Sequence, residues 1–153
     1  MKIKFLWIGK AKQKEYQKLE SLYSQRLKHY CKYSIKELKE VKSKNSKDLK
    51  NQEGQLFLSH IEQTDHLILL DETGEQQQSR KLAQGIQNYM NRSQNIVFLI
   101  GGAQGVSQEV FDRSNTILSL SKMTLTHDMA RILLLEQVYR AHTIIRGEKY
   151  HND

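Results

Sequence analysis

The sequence predicts an α/β fold: a mostly parallel sheet flanked by helices on both faces. Three observations lead there. Short apolar runs of strand length recur about five times along the chain. Between them lie segments whose apolar residues fall at three- and four-residue steps. That alternation of strand and helix periods is the pattern of parallel sheets whose crossovers are helices. The strongest run, "NIVFLIGG" (95–102), is apolar on both faces, as a strand covered on both sides must be.

Each element has its own justification. "IKFLWIG" (3–9) is a short apolar run ending on Gly9, a first strand. "KEYQKLESLYSQRLKHY" (14–30) places Tyr16, Leu19, Leu22, Tyr23, Leu27 and Tyr30 on one helical stripe. "YSIKELKEV" (33–41) alternates imperfectly and is expected near the sheet edge. "SKDLKNQEGQLFLSHI" (46–61) reads as a helix capped by Ser46, with Gly54 as its weak point. "HLILLDETG" (66–74) is a buried strand expected to end at Asp71. "SRKLAQGIQNYMNR" (79–92) is a helix with Ser79 as cap and Leu82, Ile86, Tyr89 and Met90 on one side. After the fourth strand, Ser107 caps a short helix, "QEVFDRSN" (108–115). "TILSLS" (116–121) is the last strand, and "HDMARILLLEQVYRAHTIIRG" (127–147) is a long helix stopped by Gly147. No linker, repeat or low-complexity tract interrupts this series, so residues 1–153 are expected to form a single domain. Proline is absent, which leaves the boundaries soft by a few residues.

Composition narrows the class. No run reaches the roughly 18 apolar residues of a membrane span, and the N-terminus lacks a small-residue cleavage site. A lone cysteine, Cys31, forms no internal disulfide, which fits a reducing, cytoplasmic setting. Neither a membrane nor a metal is expected as a partner. Lysine and arginine total 24 against 17 acids, a net charge of +7. So basic a chain points to a polyanion, although positive charge also serves solubility alone. The basic residues are spread through periodic segments, so any polyanion surface is a folded one.

Ligands of such sheets lie beyond the carboxyl ends of the strands. Three loops carry suggestive chemistry there: "LDETGE" after the third strand, "GGAQGVS" after the fourth and "LSKMTLTH" after the fifth. The glycine loop lacks the Gly-x-Gly-x-x-Gly of a dinucleotide fold and the Gly-Lys-Ser/Thr of a phosphate loop. A cofactor with an adenosine but no phosphate suits it, because glycines let a ligand lie flat on backbone. A tight turn required only by the fold is the competing reading. The helix after the third loop is apolar nearly all round: Met129, Ile132, Leu133, Leu134, Leu135, Val138, Ile144 and Ile145. One of its faces suits the sheet and another a partner subunit.

At these residues a family resemblance enters. The run "RSNTILSLSKMTLTHDMARILLLEQVYRAHTIIRGEKYH" (113–151) closely resembles the RlmH (YbeA-like) methyltransferases of the SPOUT superfamily. "FLIGGAQG", "LLDETG" and "KIKFLWIGK" match at the expected spacing, so the likeness spans the chain. It implies an α/β sheet whose C-terminal segment threads a trefoil knot. It also implies a homodimer that binds S-adenosyl-L-methionine in the knot and methylates N3 of a pseudouridine in 23S rRNA of the assembled ribosome. By the same likeness the cofactor pocket is built from Leu70, Asp71, Gly101, Gly102, Gly105, Ser121, Lys122, Met123, Thr124, Leu125 and Thr126. The family usually has proline before the helix histidine; Thr126 stands there in this chain, with a hydroxyl suited to capping the helix.

The sulfonium methyl is already activated, so such an enzyme mainly positions it in line with the acceptor. The acceptor N–H must lose its proton, which calls for a base or a cation that favours the imidate. His127 and Arg131 share a helix face four residues apart and are candidates, with Arg140 and the tail residues Tyr150 and His151. Arg131 has an equal structural role open to it, pairing with Asp128 or a backbone carbonyl. Glu136 and Arg140 read as a structural i, i+4 pair. By default the tail would fray; the likeness instead places Tyr150 and His151 at the RNA. Lys10, Lys12, Lys14 and Arg146 are expected to meet phosphates. The alternative function is a non-catalytic ribosome- or RNA-binding module that keeps the SPOUT fold. A nicotinamide oxidoreductase is disfavoured by the missing glycine fingerprint.

Overall fold

A computed structural model describes residues 1–153. Its elements run β1 (Lys2–Ile8), α1 (Lys14–Leu27), β2 (Lys32–Leu38), α2 (Ser46–Leu58) and β3 (His66–Gln76). They continue as α3 (Ser79–Asn91), β4 (Ile96–Ile100), α4 (Gln108–Arg113), β5 (Thr116–Ser119) and α5 (His127–Ile145). The five strands form one sheet in the order β2-β1-β4-β3-β5, and every pair is parallel. All carboxyl ends therefore share one rim, with the two edges held by β2 and β5.

Strand periodicity sorts the core into two layers. Ile3, Phe5 and Trp7 of β1 and Ile96, Phe98 and Ile100 of β4 face a layer made by α1, α3 and α5. Phe5 and Phe98, paired in register, stack with ring centroids 5.7 Å apart. Leu6, Val97 and Leu99 face the other layer, where Phe57 of α2 and Val110 of α4 pack. Both faces of the sheet are covered, as the apolar run in β4 required. No helix is long and apolar enough to cross a membrane.

Several local expectations change. Ser46 and Ser79 are the first helical residues, not caps; the caps are Asn45, whose side chain accepts from the Asp48 N–H, and Gln78, which makes no side-chain cap bond. Ser79 instead donates its hydroxyl to Gln137 of α5 at 2.6 Å. Gly54 is no weak point: a Cβ there would sit 2.3 Å from the Ser107 hydroxyl, so its absence lets α4 close on α2. Strand β3 does not stop at Asp71. It pairs with β5 up to Leu70, breaks register, and resumes at Glu75 opposite Leu118. The last strand is shorter than expected, ending at Ser119.

Two expected devices are present at α4 and α5. Ser107 accepts from the Val110 N–H at 3.4 Å. Gly147, at φ 68°, ends α5: its N–H donates to Ile144 O at 3.0 Å while Glu148 N–H donates to Thr143 O at 2.9 Å. That pair of bonds is a Schellman closure, and only a residue at ease with positive φ allows it. From the β5 edge the chain turns back across the rim and lays α5 against α3 and α1.

Candidate functional site

The carboxyl ends of β3, β4 and β5 and the start of α5 enclose a cleft. Leu70, Asp71 and Glu72 line it from β3, and Ile100, Gly101, Gly102, Gly105 and Val106 from β4 and its loop. Leu120, Ser121, Met123, Thr124 and Leu125 line it from the segment after β5, with His127 and Ala130 of α5 closing the base. The three loops singled out in the sequence thus meet at one place. Lys122 and Thr126 do not face the cleft, although each is flanked by residues that do.

Local hydrogen bonds set the shape of each wall. In the glycine loop, Gly105 N–H donates to Gly102 O at 3.0 Å, and Gly105 sits at φ 79°. A Cβ on Gly101 would lie 2.6 Å from Val106, and one on Gly102 would lie 2.5 Å from the Glu53 carboxylate. At Gly105 a Cβ would meet nothing within 4 Å, so bare backbone borders open space. The loop is both a tight turn and a surface on which a flat ring can rest. Asp71 accepts from the Thr73 N–H at 2.9 Å and from its hydroxyl at 2.6 Å. These bonds hold the carboxylate where β3 breaks register. Across the cleft, Ser121 accepts from the Met123 N–H at 2.9 Å. Thr124 donates to Glu72 at 3.5 Å, joining two of the walls.

The cleft's charge runs against that of the chain. Its formally charged side chains are the carboxylates of Asp71 and Glu72; no lysine or arginine lines it. Burial, and then the neighbouring Arg131, push the His127 imidazole below its ordinary value, so it is neutral at pH 7. A phosphate would find no cation here. A cationic ligand with an apolar, flat portion fits: carboxylates for the charge, and Leu70, Ile100, Leu120 and Leu125 for the ring.

Arg131, one turn after His127, is buried, only 4% exposed. Its guanidinium lies over the Trp7 ring at 5.2 Å and donates to Ile8 O at the end of β1. Asp128 stands 3.8 Å away. Both structural partners weighed for it are therefore present. Yet Nε and Nη1 have no hydrogen-bond partner, an unusual debt for a buried cation. It does not line the cleft.

The tail does not fray, and it is not at the cleft of its own chain. Tyr150 donates to Glu136 at 3.0 Å, packs edge-on against Tyr139 and lies under Arg140. His151 contacts Arg140 at 3.3 Å and Asp153 at 3.2 Å. Arg140 and Glu136 form the expected i, i+4 ion pair. Glu136 lies nine residues along α5 from His127, about 14 Å by helical rise. Burial and the bond to Glu136 push the Tyr150 phenol up to about 12, so at pH 7 it is a donor and not a base.

Residues of the site that the sequence did not single out are Glu72, Ile100, Val106, Leu120 and Ala130, with Glu53 behind the glycine loop. Glu72 lay within a suggestive loop, and its acidity beside Asp71 was a signal. Glu53 carried none, since only tertiary packing brings α2 under Gly102.

Comparisons with known proteins agree with this geometry. The family model described as "Predicted SPOUT methyltransferase" matches residues 1–151. A protein of Christiangramia forsetii named ribosomal RNA large subunit methyltransferase H is 42% identical over 156 residues, covering 99% of both chains. A protein of the same name from Cytophaga hutchinsonii is 43% identical over 155 residues, covering 99% of this chain and 100% of that one. Among solved structures, a probable methylase family protein from Haemophilus influenzae superposes with a TM-score of 0.60 at 14% identity. It covers 97% of this chain and 67% of that one, a likeness of fold. A probable rRNA-methyltransferase from Porphyromonas gingivalis gives 0.50 at 12% identity, covering 95% and 69%. With its parallel sheet, its rim cleft and a match over almost its whole length, the chain belongs to the SPOUT methyltransferase family.

Proposed function

We propose that this single-domain protein is an S-adenosylmethionine-dependent methyltransferase of large-subunit ribosomal RNA. The finer reading is transfer to N3 of a pseudouridine in 23S rRNA of the assembled ribosome, by a homodimer with a C-terminal trefoil knot, in the cytoplasm. One observation carries it: a net +7 chain has a rim cleft whose charged walls are Asp71 and Glu72, beside an open glycine backbone. That combination suits a cationic adenosine-bearing donor and disfavours a phosphate-bearing one. The relatives named ribosomal RNA large subunit methyltransferase H support the choice of RNA.

Leu70, Asp71, Gly101, Gly102, Gly105, Ser121, Met123, Thr124 and Leu125 would hold the donor, with Lys122 and Thr126 adjoining them in the chain. S-adenosylmethionine would supply there a methyl group activated by a sulfonium. The chain's own work is positioning and proton handling. The apolar walls exclude water. In this reading neutral His127, on the cleft wall, accepts the acceptor nitrogen's proton, and Arg131, buried one turn further along α5, favours the anion left behind through its charge and not by contact. Thr126 stands where the family usually has proline, and its φ of −63° is one that a proline ring would also impose. Its hydroxyl caps α5 by accepting from the Met129 N–H at 3.3 Å.

Two observations support the homodimer. Leu19 and Leu22 of α1 and Met129 of α5 are exposed on helices that pack together. Tyr150 and His151, which follow α5 and pack beside Glu136 and Arg140, lie too far from His127 to serve their own cleft, so a second copy is the route by which the tail reaches a site. Methyl transfer from radiolabelled donor to ribosomes lacking the modification tests the proposal, with naked 23S rRNA in parallel. Label in a single 23S nucleotide is the expected result. Donor binding with no label on either substrate would leave the RNA-binding module as the function.

A further inference from the structure

The rim is electrically divided: its other half is basic where the cleft is acidic. Strands β2 and β1 end beside β4 at the same level, since Trp7 pairs with both Glu37 and Ile100. The loop after β1 and the first turn of α1 carry Lys10, Lys12 and Lys14; the loop after β2 and the first turns of α2 carry Lys39, Lys42, Lys44, Lys47 and Lys50. Eight lysines less three carboxylates, Glu15, Glu40 and Asp48, leave +5, most of the chain's +7. None of the eight is in an ion pair. Seven are exposed and Lys50 is half-buried. Asp48 is spent on Ser43 and Gln52.

The two loops form one surface and reach the cleft. Gly9 N–H donates to Leu38 O at 2.7 Å, and a Cβ on Gly9 would touch Glu40, so the loops abut. At the other end Ser46 donates to Gln104 at 3.2 Å, tying the start of α2 to the glycine loop. Lys47 follows that contact directly. At the end of β1 the buried Arg131 donates to Ile8 O, with its Nε left without a hydrogen-bond partner. Concentrating like charge on neighbouring loops costs stability unless a polyanion offsets it.

We infer that this lysine ledge is the track for the RNA phosphate backbone flanking the target nucleotide, leading the acceptor base over β1 and β4 into the acidic cleft. The inference rests on the RNA reading above and adds where the strand lies. The charge division also orients the substrate: phosphates are drawn to the ledge and repelled from Asp71 and Glu72. Only the base, not its backbone, is then favoured at the donor.

The test compares two fourfold variants of equal charge. One replaces Lys12, Lys42, Lys44 and Lys47 by Gln; the other replaces Lys2, Lys28, Lys32 and Arg92, which lie at the opposite ends of the strands. Binding to ribosomes lacking the modification is measured by filter retention across a salt series, so the readout does not depend on turnover. The ledge variant is expected to bind at least tenfold more weakly and to lose about 3 from the log–log salt slope, at roughly 0.7 to 0.9 per contact. The control variant is expected to bind like wild type, and donor affinity to hold in both. Acetylation footprinting of the wild-type protein gives a second readout free of mutation: Lys12, Lys42, Lys44 and Lys47 become protected by ribosomes, while Lys28 and Lys32 stay reactive. Equal losses in both variants, or no protection of the ledge lysines, overturn the track. Absence of methyl transfer by wild type overturns the catalytic reading instead and leaves this binding result to stand or fall separately.

Discussion

His142 shows how much a single buried group governs. It lies on α5, 2% exposed, beside the Tyr30 ring, with Nε2 unpartnered. Burial, then the charge of Arg146, push its imidazole down to about 4. Its folded value is below its unfolded one, so the stability tied to the neutral form is complete above pH 6.5. It is lost as pH falls toward 4. The difference amounts to about 3 kcal/mol. Urea unfolding at pH 7 and pH 4.5 should show this loss in wild type and a visibly smaller one in His142→Leu. The sequence placed His142 on a helix but said nothing of its burial, because burial depends on α1 docking from far away in the chain. Arg131 is similar: its alternatives were readable from an i, i+3 partner, whereas Trp7 and Ile8 lie 123 residues or more upstream. That three loops meet at one rim was legible because loops after parallel strands converge whatever the details of packing.

Elements were readable where the signal is local. Ser107 and Gly147 end their helices through bonds made within a few residues, and both were found. Ser46 and Ser79 misled because a preceding Asn45 or Gln78 already has the extended backbone of a cap. Strand β3 misled for a nonlocal reason. "DETG" has turn composition, and pairing with β5 does break there, but it resumes beyond it at Glu75. Gly74 makes that passage possible: a Cβ there would stand 2.6 Å from the backbone of Ile117. Neither backbone can yield without parting β3 from β5, so Gly74→Ala should destabilise the protein by about 1–3 kcal/mol. Thermal unfolding reads the change directly. A melting temperature unchanged from wild type would show that this approach is looser than described.

At the scale of the whole molecule, the fold divides labour across one rim and along one helix. The rim sets an acidic cleft beside a basic ledge. Helix α5 starts at the cleft and ends at a tail that its own chain cannot bring back. In the proposed homodimer a second copy completes the site, and Leu22, exposed on α1, is offered as part of its contact face. Leu22→Glu should shift the protein toward monomer in sedimentation and reduce methyl transfer at least tenfold, while leaving unfolding temperature near that of wild type after allowance for lost association. A monomeric wild type that still transfers methyl groups would remove the partner from the site.

The central claim is that the acidic rim cleft holds the methyl donor, and isothermal calorimetry with S-adenosylmethionine tests it most directly. Wild type should bind the donor. Gly105→Val closes the open backbone and strains its positive φ, and Asp71→Asn removes charge while keeping an oxygen for Thr73. Each should weaken binding at least tenfold. Absence of heat with wild type, or equal affinity in all three proteins, would contradict the account.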